Sequence, residues 1–361
     1  MNLESATVSK DLLKDVVKNI EYNKIIIDYY NTFAINGSIA FDSDKLLRVS
    51  DRISSCNKFW QLDKYERHKI KDFKKTNLCR DKFCSNCKKV KQAGRMAKYI
   101  PALEPYRDKL YHLTLTVPNC SGNDIKFTYG KMAKSFKMLI NYLNGNKKIR
   151  GIDFNAWHYE GAIRSLECTF KAQSYHPHFH VCIAMEHCLS DRVHINKFSY
   201  DYKNGYADLR RLFSEEEILI QKIWYLLNND IKVTSASIAD LQEGYSCTID
   251  KFKDNDYAEL FKYMTKETDE DGNILTYENF VSLYYGFYRV KQIQGYGCFY
   301  MVTDDVDLDS LQEQYETFIQ ELREKENPEI VYQTPQDLLD DNEYTLISRK
   351  NYFKFLQTIS S

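Results

Sequence analysis

Between His176 and Met185 the chain reads HPHFHVCIAM, which places three of its 8 histidines at every second position. Side chains on a strand alternate between faces, so His176, His178 and His180 would share one face and Phe179 and Val181 the other. Two imidazoles spaced this way can share a divalent ion. The competing reading is a histidine-rich strand end that stacks on its neighbours and binds nothing. Just upstream, RSLECTF puts Ser165, Glu167 and Thr169 on one face of a second strand. If the two strands pair antiparallel, Glu167 sits beside His178 and His180. Two neutral imidazoles and one carboxylate suit Mg²⁺ or Mn²⁺ better than a closed zinc site, and leave coordination positions open for a phosphate. Read blandly, Glu167 is a surface carboxylate on an edge strand.

Two further groups of residues could do chemistry. In AELFKYMTK, Ala258 to Lys266, a helix would align Glu259, Tyr263 and Lys266 at i, i+4 and i+7. A tyrosine between a carboxylate and an ammonium is a candidate nucleophile. Its phenol has an ordinary pKa of about 10, so it needs a nearby cation or a polarised substrate. The alternative is an amphipathic helix with a plain Glu–Lys face. The other group is Cys79-x4-Cys84-x2-Cys87, with Cys56 upstream. A Cys-x2-Cys pair and two more thiolates fit tetrahedral zinc. His68 is a candidate substitute for Cys56, and four reduced core cysteines are the competing reading. The polar surroundings, CRDKFCSNCKK, argue against a core.

The elements that must position these groups follow from pattern. A short helix is expected around Lys10 to Ile20 in an otherwise weakly patterned N-terminal stretch. The segment from Lys88 to Leu103 reads as a basic helix ended by Pro101, and KLYHLTLTVPN as a strand stopped by Pro118. Helix is expected over Tyr129 to Leu143, strand over Ala156 to Phe170, then the histidine strand. Ser214 with Glu217 three residues on reads as a capping box that opens a helix to Leu227. A short strand SCTIDKF, a helix from Asp256 to Lys266 and an aromatic strand-like stretch from Val281 to Val302 complete this part. In the tail, Leu308, Leu311, Tyr315, Phe318, Ile319 and Leu322 form one helical face.

Composition bounds the class. The chain has 361 residues, 43% of them hydrophobic, enough for a sizeable core and for two domains. The net charge of -1 conceals a strong asymmetry. From Lys58 to Lys109 there are sixteen Lys/Arg against six Asp/Glu, and from Asp304 to Thr345 fourteen Asp/Glu against two Lys/Arg. A basic block suggests a polyanionic partner, whereas an acidic tail is more often solvated or meets proteins. Some of the 28 tyrosines could stack on bases. No run of about eighteen apolar residues argues for a membrane span. The first residues lack a signal-peptide pattern, so a reducing cytoplasm is expected and the 10 cysteines read as ligands or small core residues.

Taken together, these segments resemble the rolling-circle replication initiators of small Gram-positive plasmids, within the HUH endonuclease superfamily. HLTLTVPN at 112–119 is similar to that family's first motif, HPHFHVCIA to its metal-binding motif, ELFKYMTK to its nucleophile motif and CRDKFCSNC to its upstream cysteine cluster. The resemblance covers roughly residues 50 to 300. It implies His178 and His180 as metal ligands with Glu167 the third, His176 just outside the pair, Tyr263 as nucleophile and Lys266 as the residue that positions or neutralises phosphate. Glu259 matches the carboxylate that single-tyrosine members use as a base for a final attack by water. The chain departs from the pattern at Ser85 and Asn86, where the family has a proline, and in the long Glu186 to Tyr206 segment, an expected inserted loop. Neither departure touches the chemistry, and the origin that is read stays unassigned.

The expectation is therefore an α+β fold: a central antiparallel sheet flanked by helices, HUH endonuclease-like, with a zinc-binding element before it and an acidic helical tail after it. The expected divisions are 1–50, a basic zinc-binding element at 51–110, a nicking and joining domain at 111–303, and the tail at 304–361. The expected function is metal-dependent nicking and rejoining of plasmid origin DNA, at a hairpin or single-stranded site, through a 5′-phosphotyrosine. Mg²⁺ or Mn²⁺ would serve catalysis and Zn²⁺ structure, with host helicase and polymerase as further partners and no membrane. The alternatives are a single-tyrosine HUH transposase or mobilisation relaxase and, in another class, a non-catalytic zinc-bearing DNA-binding repressor.

Overall fold

The computed structural model describes residues 10–36, 41–56, 59–65, 69–76, 78–262, 266–302, 332–333 and 344–348. The chain divides into two units, one formed by residues 1–98 with 306–361 and the other by residues 99–305.

In the first unit, α1 (Lys10–Ile35) and α2 (Ser43–Ser55) precede an antiparallel sheet. The N-terminal stretch is thus more helical than its weak patterning predicts. On α1 the buried positions Tyr22, Ile26, Tyr30 and Phe33 recur at helical spacing, and half of them are tyrosines, which blurred the apolar period. On α2 the buried stripe is Leu46, Val49 and Ile53, and the Asp42 side chain accepts the Asp44 N–H to cap the helix. The sheet has the order β10-β2-β1-β11, with β1 (Phe59–Tyr65), β2 (Lys69–Thr76), β10 (Tyr332–Gln333) and β11 (Tyr344–Ser348). The helical face expected over Leu308 to Leu322 lies outside the described residues; the described parts of the tail are strands. Helix α3 (Ser85–Leu103) runs across the division after Lys98. It continues two residues past Pro101, its expected end.

The second unit is built on a five-stranded antiparallel sheet of order β8-β3-β5-β4-β9. Its strands are β3 (Leu110–Thr116), β4 (Tyr159–Lys171), β5 (Ser174–Met185), β8 (Cys247–Lys251) and β9 (Ile293–Gly297). Strands β4 and β5 form a tight hairpin in which Ala172 takes up a left-handed φ of 50°. One face is apolar. Phe179 of β5 is fully buried there, 5.9 Å from the ring of Phe136 on α4 (Ile125–Leu143) and 6.2 Å from Trp224 on α5 (Glu215–Asn228). The buried Arg164 guanidinium lies 4.6 Å over the same Phe179 ring. The other face carries His112, Thr114 and Thr116 of β3, Ser165 and Glu167 of β4 and His178 and His180 of β5, because paired residues share a face.

The segment expected as an inserted loop is extended from Glu186 and then forms a hairpin, β6 (Tyr200–Lys203) and β7 (Tyr206–Leu209). Asn204 and Gly205 at its tip both have positive φ, as a type I′ turn requires. Helix α5 opens on the expected Ser214–Glu217 capping box. A short α6 (Ser235–Asp240) follows it.

Two elements depart from expectation. The helix expected over Asp256 to Lys266 is only α7 (Asp256–Leu260); Phe261 and Lys262 are no longer helical. The strand-like stretch from Val281 begins instead as α8 (Tyr277–Gly286), which Thr276 caps by accepting the Asn279 N–H. Buried Phe280 and Leu283 give it an apolar face, so packing overrides the β propensity of its aromatic residues.

Candidate metal centres

The antiparallel register sets Glu167 directly opposite His178, and Ser165 opposite His180. One carboxylate oxygen, Glu167 Oε2, lies 3.2 Å from His178 Nε2 and 3.1 Å from His180 Nε2. All three ligand atoms therefore converge on one small volume of the sheet face. The carboxylate is 3% exposed. Its other oxygen, Oε1, has no hydrogen-bond partner among the described residues although it is buried. Lys266 Nζ lies 3.3 Å and Lys262 Nζ 3.7 Å from that oxygen, near enough for ion pairing. A buried carboxylate oxygen, Glu167 Oε2, beside two Nε2 atoms is a donor set that fits a divalent cation.

Electrostatics favour the ionised ligand. Burial opposes the charge on Glu167, but hydrogen bonds from His178 and His180, with the Lys262 charge, outweigh it and hold the carboxyl well below the usual carboxylate range. Behind each ring the other nitrogen is engaged. His178 Nδ1 is 3.1 Å from the His176 carbonyl oxygen. His180 Nδ1 is 3.1 Å from His112 Nε2, and His112 Nδ1 is 3.2 Å from Asp256 Oδ1. Burial, then the neighbouring His180, lowers the His112 pKa, which favours its neutral form. His176 touches the centre through its backbone and through a ring 5.3 Å from that of His178.

Tyr263 lies outside the described residues. Lys262 before it and Lys266 after it do not. Glu259 sits in the last turn of α7, and Lys262 Nζ donates to both its oxygens, at 3.1 and 2.9 Å. Because α7 stops at Leu260 and Lys262 and Lys266 are non-helical, Glu259 and Lys266 do not share one helix face among the described residues. Lys266 instead reaches the centre through Glu167.

The first unit holds a second cluster. Cys56, at the end of α2, meets Cys79, Cys84 and Cys87, and all four are buried. Their sulfurs are 3.5 Å (Cys79–Cys87) and 3.6 Å (Cys56–Cys87 and Cys84–Cys56) apart. Backbone N–H groups of Cys79 and Arg80 point at sulfur, at 3.4 Å to Cys56 and 3.2 Å to Cys87. Arg80 adopts φ 63° to make this turn. Hydrogen bonds from Cys79, Cys84 and Cys87 lower the Cys56 pKa, so this group readily accommodates a thiolate. Each cluster could hold a metal ion. His68, the candidate substitute for Cys56, lies outside the described residues.

Comparison with known proteins places the chain. Residues 70–192 match the profile of a family described as replication protein. The Protein rep of Staphylococcus aureus is 25% identical to the chain over 227 residues, 61% of this chain and 82% of that relative. Over these stretches the chain is similar to Rep replication proteins. No solved structure matches. The Rep match spans Glu167, His178, His180 and three of the four clustered cysteines, while Cys56 precedes it and α7 with Lys266 follows it.

Sequence reasoning missed His112, Asp256 and Lys262 as neighbours of the centre. His112 carries a signal, since LYHLTLT alternates and sets it on the polar face of its strand. Nothing in the sequence gives the register that brings that face beside β5. Asp256 contacts His112 across 144 positions of chain and leaves no local pattern.

Proposed function

We propose that this protein is a plasmid rolling-circle initiator that nicks and rejoins one strand of its origin DNA, using an HUH-type arrangement. The observation that carries this reading is the convergence of Glu167 Oε2 with the Nε2 atoms of His178 and His180, beside two lysines that flank Tyr263 in the chain. Glu167, His178 and His180 would hold Mg²⁺ or Mn²⁺, which when bound polarises a phosphoryl oxygen and lowers the barrier by several kcal/mol. Tyr263 attacks phosphorus, the bond to the 3′ oxygen breaks, and the tyrosine becomes joined to the 5′ phosphate. Lys266 neutralises phosphate charge. The freed 3′-OH can prime a polymerase, and Glu259 assists water in the final release.

The four thiols would hold structural zinc. Tetrahedral Zn–S bonds of about 2.3 Å require sulfurs about 3.8 Å apart, close to the 3.5–3.6 Å separations here.

The test is nicking of supercoiled DNA that carries the chain's own origin, with and without Mn²⁺. The His178→Ala/His180→Ala variant should lose nicking and retain most DNA binding. Normal nicking by that variant would remove the centre from the reaction.

A further inference from the structure

The two ligand rings are held in unlike ways. His178 is fixed by its own strand, through the His176 carbonyl. His180 is fixed by side chains from two other elements: His112 on β3 and, behind it, Asp256 at the start of α7. Asp256 is itself anchored, because its Oδ2 accepts the Lys253 N–H at 2.7 Å.

We propose that His112 and Asp256 are positioning residues that orient His180 and fix its tautomer for metal binding. This rests on the reading of Glu167, His178 and His180 as metal ligands. The proton inventory supports one direction. A ligand nitrogen must present a lone pair, and His180 Nε2 faces Glu167. The remaining His180 proton therefore sits on Nδ1 and is donated to His112 Nε2. His112, accepting at Nε2, carries its proton on Nδ1 and donates it to Asp256 Oδ1. With a cation between His180 Nε2 and Glu167, both remaining links have one donor and one acceptor only in this order. A carboxylate behind an imidazole raises the basicity of the ligand it orients, and here a second imidazole is interposed. The arrangement also ties the metal centre to α7, the element that carries Glu259.

The test is Mn²⁺ binding to protein first stripped of divalent ions by a mild chelator, followed by calorimetry and by the Mn²⁺ electron paramagnetic resonance signal. His112→Phe keeps a ring and removes the acceptor, and should weaken Mn²⁺ binding about 10–100-fold, as loss of such outer partners does. His112→Gln offers an amide oxygen near the Nε2 position and should restore affinity to near wild type. Asp256→Ala should weaken binding in the wild-type background and add nothing in the His112→Phe background. Unchanged affinity in His112→Phe, or full additivity of the pair, would overturn the relay. If His112→Phe does not fold, Asp256→Ala and the Gln rescue decide by the same criteria. Glu167→Ala separates the two ideas: if wild type binds no more tightly than Glu167→Ala, the ligand assignment itself fails, whatever His112 does.

Discussion

At the scale of single residues, Glu167 is the most constrained group on the sheet face. Its two oxygens do different work, one between two imidazoles and the other facing two ammonium groups. On the proposed reading the two candidate centres should behave differently. The Glu/His centre would offer few protein ligands and exchange its ion, so dialysis against a chelator should abolish nicking, and added Mn²⁺ should restore it while circular dichroism stays unchanged throughout. The thiol cluster is closed and buried, so Cys84→Ser protein should lose stoichiometric zinc by elemental analysis and melt earlier, as structural zinc sites couple to folding. The roles proposed for Tyr263 and Glu259 can be separated as well. Tyr263→Phe should form no covalent DNA adduct. Glu259→Ala should still form it but release product slowly, so adduct accumulates in time courses on denaturing gels. If Glu259 serves only as the partner of Lys262, with which it is bonded here, release from Glu259→Ala will match wild type.

Individual elements divide into those whose pattern was sufficient and those decided by partners distant in sequence. The β4–β5 pair was legible because alternation fixes faces, and the pairing of Glu167 with His178 and His180 follows from a two-residue hairpin. The opening of α5 was legible because a capping box is local chemistry. It makes a local prediction: Ser214→Ala should cost about 1 kcal/mol, read by chemical denaturation. Glu217 of the same box is fully buried and bonds Arg211 and the Ile249 N–H, neither of which the local pattern announces. Removing it leaves the buried Ser214 and Ile249 N–H groups without their acceptor while Arg211 keeps Asp250, so Glu217→Ala should cost about 1–3 kcal/mol. One residue earlier, burial opposes ionisation of Glu216, but hydrogen bonds from His187 and Ser190 bring its pKa down to about 2. A depressed carboxylate contributes stability above its unfolded pKa of about 4.3 and loses it as pH falls toward the folded value. The excess stability of wild type over Glu216→Gln should therefore shrink between those two pH values. The end of α7 and the identity of α8 were illegible for the same reason as Glu217: their limits are set by tertiary contacts, and the aromatic residues that line them fit either helix or strand.

For the molecule as a whole, the chain leaves the first unit at residue 98, builds the second, and returns at 306. The returning strands cover both edges of the N-terminal sheet, β10 beside β2 and β11 beside β1. A chain ended at residue 303 should keep the Glu/His centre and its Mn²⁺ affinity, yet expose two strand edges and aggregate, detectable by light scattering. The order of the other sheet has a consequence in time. Strand β5 is its middle strand, paired on both sides, with the buried Phe179 ring between α4 and α5 behind it. Its amide protons can reach solvent only when the whole unit opens. Helix α7, five residues long, has little cooperativity of its own. Hydrogen–deuterium exchange should therefore find His178 to Ile183 among the last amides to label and Tyr257 to Leu260 among the early ones. The imidazole pair would stand still while the element beside it reopens many times per global unfolding.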